Sequence, residues 1–346
     1  MSSLIANHLV KLSEGISVII CTFNGALKLK STLDHLMKQK TDRLFSWEIL
    51  LIDNSSTDNS LKIAKTYWAK KAPPNIKLTT IVETSAGKYY ALQQGISHAN
   101  YEFFVICDDD NWLHEDYLLS TFNILKNNPS IGAVGGYATG VTDAAEGFPN
   151  WFSKVCEGYA VGPQCKQTGY VSPNGHLWGA GLASRTLLYR EIYSNWPSLL
   201  LKSTFSQVMT TEDTEFCYRL TLANYRLYYD ESMKLSHFIP KEKLTIAYKT
   251  SLYANFIDSR HILSQYQLAI KITRWNNKHH YLKITHYFFI KLGCYLKLRV
   301  YKKKKNIDRQ RLLLNWLKKT GGNRQDFLID KILRKASSPH LSRLRH

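Results

Sequence analysis

Between residues 16 and 106 the chain alternates four short β-rich runs with amphipathic segments, and polar residues gather where the runs end. The runs are 16–21, 47–52, 76–82 and 102–106, separated by helix-compatible stretches at about 25–38, 55–70 and 87–97. Ser55, Ser56, Thr57 and Asp58 are of the types that cap helix N-termini and are expected to open the second helix. Strand–helix alternation of this kind predicts an α/β fold, a mostly parallel sheet with helices on both faces. Ligands of such sheets bind at the carboxyl ends of the strands. Asn24, Asp53 and the triplet Asp108-Asp109-Asp110 are all expected there.

The triplet is chemically the most specific of these clusters. Adjacent carboxylates repel one another unless a cation holds them together, and oxygen ligands suit magnesium or manganese. The simpler alternative is a solvated acidic turn that caps the next helix. Net charge is +19 over 346 residues, which favours anionic partners: nucleotides, nucleic acid or an acidic membrane face. The six cysteines include no C-x-x-C pair and are expected to be reduced thiols in a cytosolic protein. Residues 1–15 lack the apolar core of a signal peptide, and no segment is apolar for the roughly 20 residues that span a bilayer.

Further along, a strand is expected at 131–137, where Gly135-Gly136 allows a bend. Residues 148–175 read as a long loop or lid, the kind of segment that is usually functional. A strand-like run at 176–183 precedes a helix to about residue 193. Another helix is expected at 211–224, opening with Glu212-Asp213, then two short strands at 226–230 and 233–238. Beyond residue 241 Lys, Arg, His, Tyr and Leu dominate. The expected organisation is an N-terminal lead (1–15), an α/β domain (16–240) and a basic, mainly helical C-terminal region (241–346).

Six motifs stand in a fixed order: Cys21-Thr22-Phe23-Asn24; Asp53 to Asp58; Gly87-Lys88 through Gly95-Ile96; the aspartate triplet; Gly179-Ala180-Gly181; and Thr211-Glu212-Asp213 followed by Arg219. Over about 16–240 the chain resembles the inverting family 2 glycosyltransferases, which have the GT-A fold. The resemblance implies sugar transfer from a nucleotide-diphospho-sugar, UDP-linked, to a glycan hydroxyl, as in bacterial surface polysaccharide assembly. It implies a divalent metal, Mn or Mg, held by Asp110 and by His237, with Asp108 and Asp109 facing the ribose and donor sugar. Asp53 would accept a hydrogen bond from the base, with Thr22, Phe23 and Asn24 lining the same pocket. Lys88 would stand in for an arginine that Ala91-Leu92-Gln93 lacks, and Lys241 and Lys243 would reach the diphosphate. Asp213 would be the general base, with Glu212 contacting the acceptor or orienting the loop, and Trp178 and Gly179 would meet the acceptor. Structural roles compete for several of these. Acids at a helix start are favoured by the helix dipole alone, a lone His is commonly a packed or surface residue, and Trp178 can equally be core.

The chemistry agrees with the resemblance. Breaking an anomeric bond passes through an oxocarbenium-like state; the departing diphosphate needs a counter-charge and the attacking hydroxyl needs a base. In the C-terminal region, residues 281–300 and 312–317 mix apolar and basic residues around Lys302 to Lys305. That pattern suggests a membrane-surface element, peripheral on the inner face of the cell membrane, and suits a lipid-linked glycan acceptor; a solvated helical appendage is the alternative. Two other functions compete. Sugar nucleotidyltransferases would carry a Gly-rich basic loop where Thr22-Phe23-Asn24-Gly25 stands. A nucleic-acid-binding protein is suggested by charge alone, with no recognised motif, and no nucleic-acid partner is expected.

Overall fold

The computed structural model describes residues 12–194, 196–202 and 211–278. The basic run 302–305 and its apolar neighbours at 281–300 and 312–317 lie outside these residues. In chain order the elements are β1 (Ser13–Thr22), α1 (Leu29–Met37), β2 (Ser46–Asp53), α2 (Ser60–Lys71), β3 (Lys77–Val82), α3 (Lys88–His98), β4 (Tyr101–Ile106), β5 (Asn111–Leu113), α4 (Tyr117–Asn127) and β6 (Ile131–Val141). There follow β7 (Gly169–Tyr170), β8 (Ala183–Arg185), α5 (Thr186–Ser194), α6 (Glu212–Leu222), β9 (Arg226–Phe238) and α7 (Ile246–Lys278).

The strands form one sheet in the order β3-β2-β1-β4-β8-β6-β9-β5, with β7 added on β9. The pairs β3–β2, β2–β1, β1–β4 and β6–β9 are parallel; β8 joins both neighbours antiparallel, and β5 pairs antiparallel with β9. The sheet is therefore mixed, with its longest ladders parallel. Side-chain alternation divides the core. Val18 and Ile20 point to the face covered by α1, α2 and α4, where Leu33, Trp68 and Phe122 pack. Ile19 and Ile52 point to the face covered by α3, α5 and α6, where Leu92, Ile192 and Phe216 pack. A parallel strand buried on both faces needs an unbroken apolar run, which is what β1, β2 and β4 carry.

Three expectations change. Residues 176–182 form no strand; only Ala183–Arg185 pairs. Gly181 takes φ +75° and a side chain there would run into the Tyr117 hydroxyl, which donates to the Gly181 carbonyl at 2.8 Å. The two short strands near the end of the domain are one 13-residue strand, β9. Its register shifts between Gly135 and Tyr137 on β6; Gly136 there lies so close to the Met233 carbonyl that only a hydrogen fits. Ser55 and Ser56 do not cap α2. Ser56 Oγ accepts the Asn24 N–H, Ser55 Oγ donates to the Glu83 carbonyl, and Asp58 accepts the Ser60 N–H at 3.0 Å.

α7 starts inside the compositionally basic region, yet Tyr266, Ala269 and Ile270 bury against Tyr218 and Leu222 of α6 and against Trp196. A buried ion pair sits at this junction. Arg219 donates to Glu215 at 3.0 Å, to the Tyr266 hydroxyl at 3.0 Å and to the carbonyls of Trp196 and Pro197, and both charged side chains are almost wholly excluded from solvent. Glu215 in turn accepts from the Leu199 N–H at 2.9 Å, the Tyr266 hydroxyl at 2.7 Å and the Ser198 hydroxyl. Removing one partner of such a pair leaves an uncompensated charge in the interior. Arg219→Met should therefore cost about 3–5 kcal/mol, read by urea denaturation. Adding Glu215→Gln to Arg219→Met should recover most of that loss; a double variant as weak as the single one would show that packing around the guanidinium, not charge, is what matters.

Candidate active site

The site lies at the carboxyl ends of β1, β2 and β4, and strand register decides which side chains meet. After β1 the chain turns through Asn24, held at φ +53° by its side-chain oxygen accepting the Thr57 N–H at 2.8 Å. Gly25 then passes so close to Thr22 and Asp109 that a side chain would collide with both. This close approach lets Lys28, at the start of α1, reach the aspartate triplet.

The three acids point in three directions. Asp108 pairs with Lys88 at 2.7 Å, and the same ammonium lies 3.9 Å from Glu212. Burial alone would lower Lys88, but Asp108 and Glu212 outweigh it and hold the ammonium charged. Asp109 turns inward, accepting from Thr22 Oγ1 at 2.7 Å and from Lys28. Burial and the neighbouring Asp110 push its carboxyl up, against the pull of Lys28 and Thr22. Asp110 is placed by β5: Asn111 pairs with His237 across the β5–β9 ladder, and the Phe238 N–H donates to the Asp110 carbonyl at 2.9 Å. Its Oδ1 lies 3.5 Å from His237 Nε2, while Oδ2 faces Lys243 at 3.5 Å and Lys28 at 3.6 Å. Burial opposes ionisation here, but His237, Lys243 and Lys28 overcome it and keep Asp110 well below the usual carboxylate range.

Asp110 and His237 fit a divalent ion in donor type and separation. The neighbouring cations favour the ionised form of Asp110, and its Oδ1 lies 3.5 Å from His237 Nε2, so the two side chains would hold a divalent ion together. His237 Nδ1 is buried with no protein partner. Among the described residues no group of three or more His, Cys, Asp and Glu side chains is arranged for a metal, so an ion on this pair would take its other ligands from a bound molecule or water.

Asp53 ends β2, buried, with Oδ1 lacking any partner in the protein; Phe23, which follows the Thr22 that pairs with Asp53 across the β1–β2 ladder, is 62% exposed. Asn54, adjacent to Asp53, donates to the Glu83 and Ser85 carbonyls and accepts the Gly87 N–H at 2.7 Å, which sets the loop that leads into Lys88. Leu92, at the position of the missing arginine, is buried in the core, and Gln93 bonds the Tyr189 hydroxyl at 3.0 Å. Across the site, α6 begins with two acids on opposite sides. Asp213 accepts the Gly179 N–H at 2.7 Å and the Thr214 N–H at 2.6 Å, and it lines an open groove together with Trp178. Glu212 faces Lys88 and has a buried Oε2 without a partner. Lys241 lies outside this constellation as drawn by the contacts, whereas Lys243 is part of it.

Sequence reasoning missed Lys28, Glu215 and Asn54. Lys28 belongs to no motif and meets the triplet only through the β1–β4 pairing. Glu215 stood one helical turn before Arg219, a spacing of four that signals a helical ion pair.

Burial pushes the Glu212 carboxyl up to about 7, with Asp213 and Asp108 adding to it and Lys88 opposing. The folded protein thus binds a proton there more tightly than the unfolded chain does. Its stabilising share is complete below the ordinary glutamate value of 4.5 and is lost as pH rises through about 7. Chemical denaturation between pH 5 and pH 8 should show the wild-type protein losing stability relative to Glu212→Gln across this window; parallel curves would rule out a raised Glu212.

Residues 17–172 match the family described as glycosyl transferase family 2. A dolichyl N-acetyl-alpha-D-glucosaminyl phosphate 3-beta-D-2,3-diacetamido-2,3-dideoxy-beta-D-glucuronosyltransferase of Methanococcus voltae is 25% identical over 233 residues, 64% of this chain and 66% of that protein. A poly-beta-1,6-N-acetyl-D-glucosamine synthase of Staphylococcus epidermidis is 29% identical over 123 residues, 36% of this chain and 28% of that protein. The chain thus spans less than two thirds of either relative's length. Among solved structures, S. aureus TarS 1–349 in complex with UDP-GlcNAc overlays with a TM-score of 0.49 at 17% identity, covering 88% of this chain and 92% of that one. The mannosyltransferase PcManGT from Pyrobaculum calidifontis, in complex with GDP-Man and Mn2+, overlays at 0.47 and 18%, covering 88% and 86%. The match to a glycosyl transferase family 2 domain thus lies in residues 17–172, which hold β1 from Ser17 on, β2 to β4 and the aspartate triplet.

Proposed function

We propose that the protein is an inverting glycosyltransferase that moves a sugar from a nucleotide-diphospho-sugar to a hydroxyl of a glycan acceptor. The observation that carries this reading is the division of acids across one cleft. Asp108, Asp109, Asp110 and Glu212 engage lysines on one side, and Asp213 faces an open groove on the other. Donor and acceptor need such opposed sides, because the hydroxyl must attack the anomeric carbon from the face opposite the departing diphosphate.

On the donor side, Asp53 offers a buried, unpartnered oxygen that suits the single N–H of a uracil ring, since buried acceptors are normally paired. Thr22, Phe23 and Asn24 adjoin it. Lys28 and Lys243 place two ammonium groups beside Asp110, where they counter the charge of a diphosphate. Asp110 and His237 would hold Mn or Mg, and when bound the ion supplies further charge neutralisation for the leaving group. On the acceptor side, Asp213 takes the proton of the attacking hydroxyl. Its carboxylate is aimed by the Gly179 and Thr214 N–H groups. Trp178 beside it offers a flat face to a sugar ring.

A second base, Glu212, has its own supporting observation: an unpartnered buried oxygen and a carboxyl raised to about 7, close to the working range of a general base. Its position beside Lys88 favours a donor-side role. The relatives bear on the acceptor. The archaeal relative is named for a dolichyl sugar phosphate and the staphylococcal one for an N-acetyl-D-glucosamine polymer, and both names support a glycan acceptor, lipid-linked in the first case. The proposed affinity of the C-terminal region for an anionic membrane surface rests on sequence alone; among the described residues no helix is long and apolar enough to cross a membrane.

Asp213→Asn keeps size and removes basicity. It should lower turnover about 10²–10⁴-fold, the usual share of a general base, with nucleotide affinity unchanged. Near-normal turnover in that variant, with Glu212→Gln inactive, would transfer the role to Glu212. Retention of the donor's anomeric configuration, read by NMR of the product, would exclude single displacement. Asp110→Ala should abolish the gain in UDP affinity that manganese brings in calorimetry; an undiminished gain would remove Asp110 as a ligand.

A further inference from the structure

A groove of about 530 Å³ opens beside Asp213, within the 300–1,000 Å³ typical of small-ligand sites. One of its walls is Trp178 and Tyr218. The other is a single face of α7, where Tyr253, Phe256 and Arg260 recur at helical spacing. α7 is held in place from behind by Tyr266, whose hydroxyl bonds Glu215 at 2.7 Å, so this wall is a fixed part of the fold. The groove is aromatic along its sides, and its acids are Asp213 and Glu157. Arg260 is the one permanent cation among the described residues that line it, and it is exposed, with no ion pair or hydrogen bond to any described residue.

An unpaired guanidinium at a groove wall presents a planar fork that matches a carboxylate or a phosphate, often with two parallel bonds. The aromatic residues that line the same groove as Arg260 and Asp213 suit the apolar faces of sugar rings. We propose that this groove is an acceptor subsite for a glycan bearing an oxyanion near the reacting sugar, with Arg260 as its reader. The shared chemistry is the oxyanion, supplied by either a uronate carboxylate or a sugar phosphate. The proposal rests on the reading of Asp213 as the acceptor-side base, and it adds a charge preference that the reading does not contain.

The test measures binding without donor or turnover, so it stands apart from the tests of catalysis. The whole protein is titrated in a calorimeter with n-octyl β-glucoside, n-octyl β-glucuronide, glucose 1-phosphate and inorganic phosphate. At least one charged sugar should bind more tightly than the neutral glucoside, the glucuronide identifying a carboxylate site and the sugar phosphate a phosphate site. Arg260→Gln should weaken that charged sugar about tenfold or more, as loss of a hydrogen bond to a charged group does, with the glucoside unaffected. Phe256→Ala should weaken charged and neutral glycosides alike. Equal affinity of the wild-type protein for neutral and charged sugars would overturn the proposal, as would charged-sugar binding that Arg260→Gln leaves intact. Absence of saturable binding by either charged sugar would do the same, and so would inorganic phosphate binding as tightly as glucose 1-phosphate, because the aromatic walls would then contribute nothing.

Discussion

The buried pair between Glu215 and Arg219 joins three parts of the molecule that also share an apolar cluster: α6, the segment at 196–199 and α7. Glu215 collects donors from Leu199, Ser198 and Tyr266, and Arg219 returns donors to the carbonyls of Trp196 and Pro197. Three aromatic rings, Tyr193, Trp196 and Tyr266, lie against the guanidinium. Two charges removed from water are tolerated only when their remaining hydrogen-bonding capacity is met, and here it is met by backbone that would otherwise be unpaired. This network, together with the burial of Phe216, Cys217 and Leu220 in the core, sets the position of α6. Because Glu212 and Asp213 sit in its first turn, these two acids are anchored by a network that starts within one helical turn of them.

A different kind of balance holds the carboxylates at the sheet edge. Six carboxylates, Asp53, Asp108, Asp109, Asp110, Glu212 and Asp213, approach one edge of the sheet. Lys28 and Lys243 meet Asp110, Lys28 also meets Asp109, and Lys88 meets Asp108 and Glu212. The lysines come from three distant places in the chain, brought together by the β1–β4 ladder and the β5–β9 ladder. Asp53 and Glu212 keep an unpaired oxygen each; unmet capacity at these two points is what a ligand can satisfy.

The parallel half of the sheet was legible in the sequence because strands buried on both faces need a continuous apolar run, and 18–21 of β1, 49–52 of β2 and 103–106 of β4 supply one. The second half was less so. Residues 176–182 have strand-like composition but are turned aside at Gly181 by the Tyr117 hydroxyl, a contact that spans 64 residues. β9 reads as two strands because Asp230-Glu231-Ser232 interrupts its apolar pattern, yet β6 bulges at Gly136 to accommodate it. In the site, Asp110 and His237 were placed by resemblance, and the ladder brings them within 3.5 Å. Lys28 was invisible: nothing in its own neighbourhood marks it. The sidedness of Glu212 and Asp213 was invisible as well, since consecutive residues at a helix start diverge by an angle that only the surrounding packing turns into a side facing Lys88 and a side facing the groove.

Asp213 owes its orientation to two main-chain donors, those of Gly179 and Thr214. A main-chain N–H survives every substitution except proline. A methyl group added at Gly179 would meet the Asp213 carboxylate at 3.4 Å and Lys88 at 3.5 Å, ordinary contact distances. The aim of this carboxylate is therefore robust to sequence drift at the very position that touches it, while the side chains of the groove around it stay free to vary.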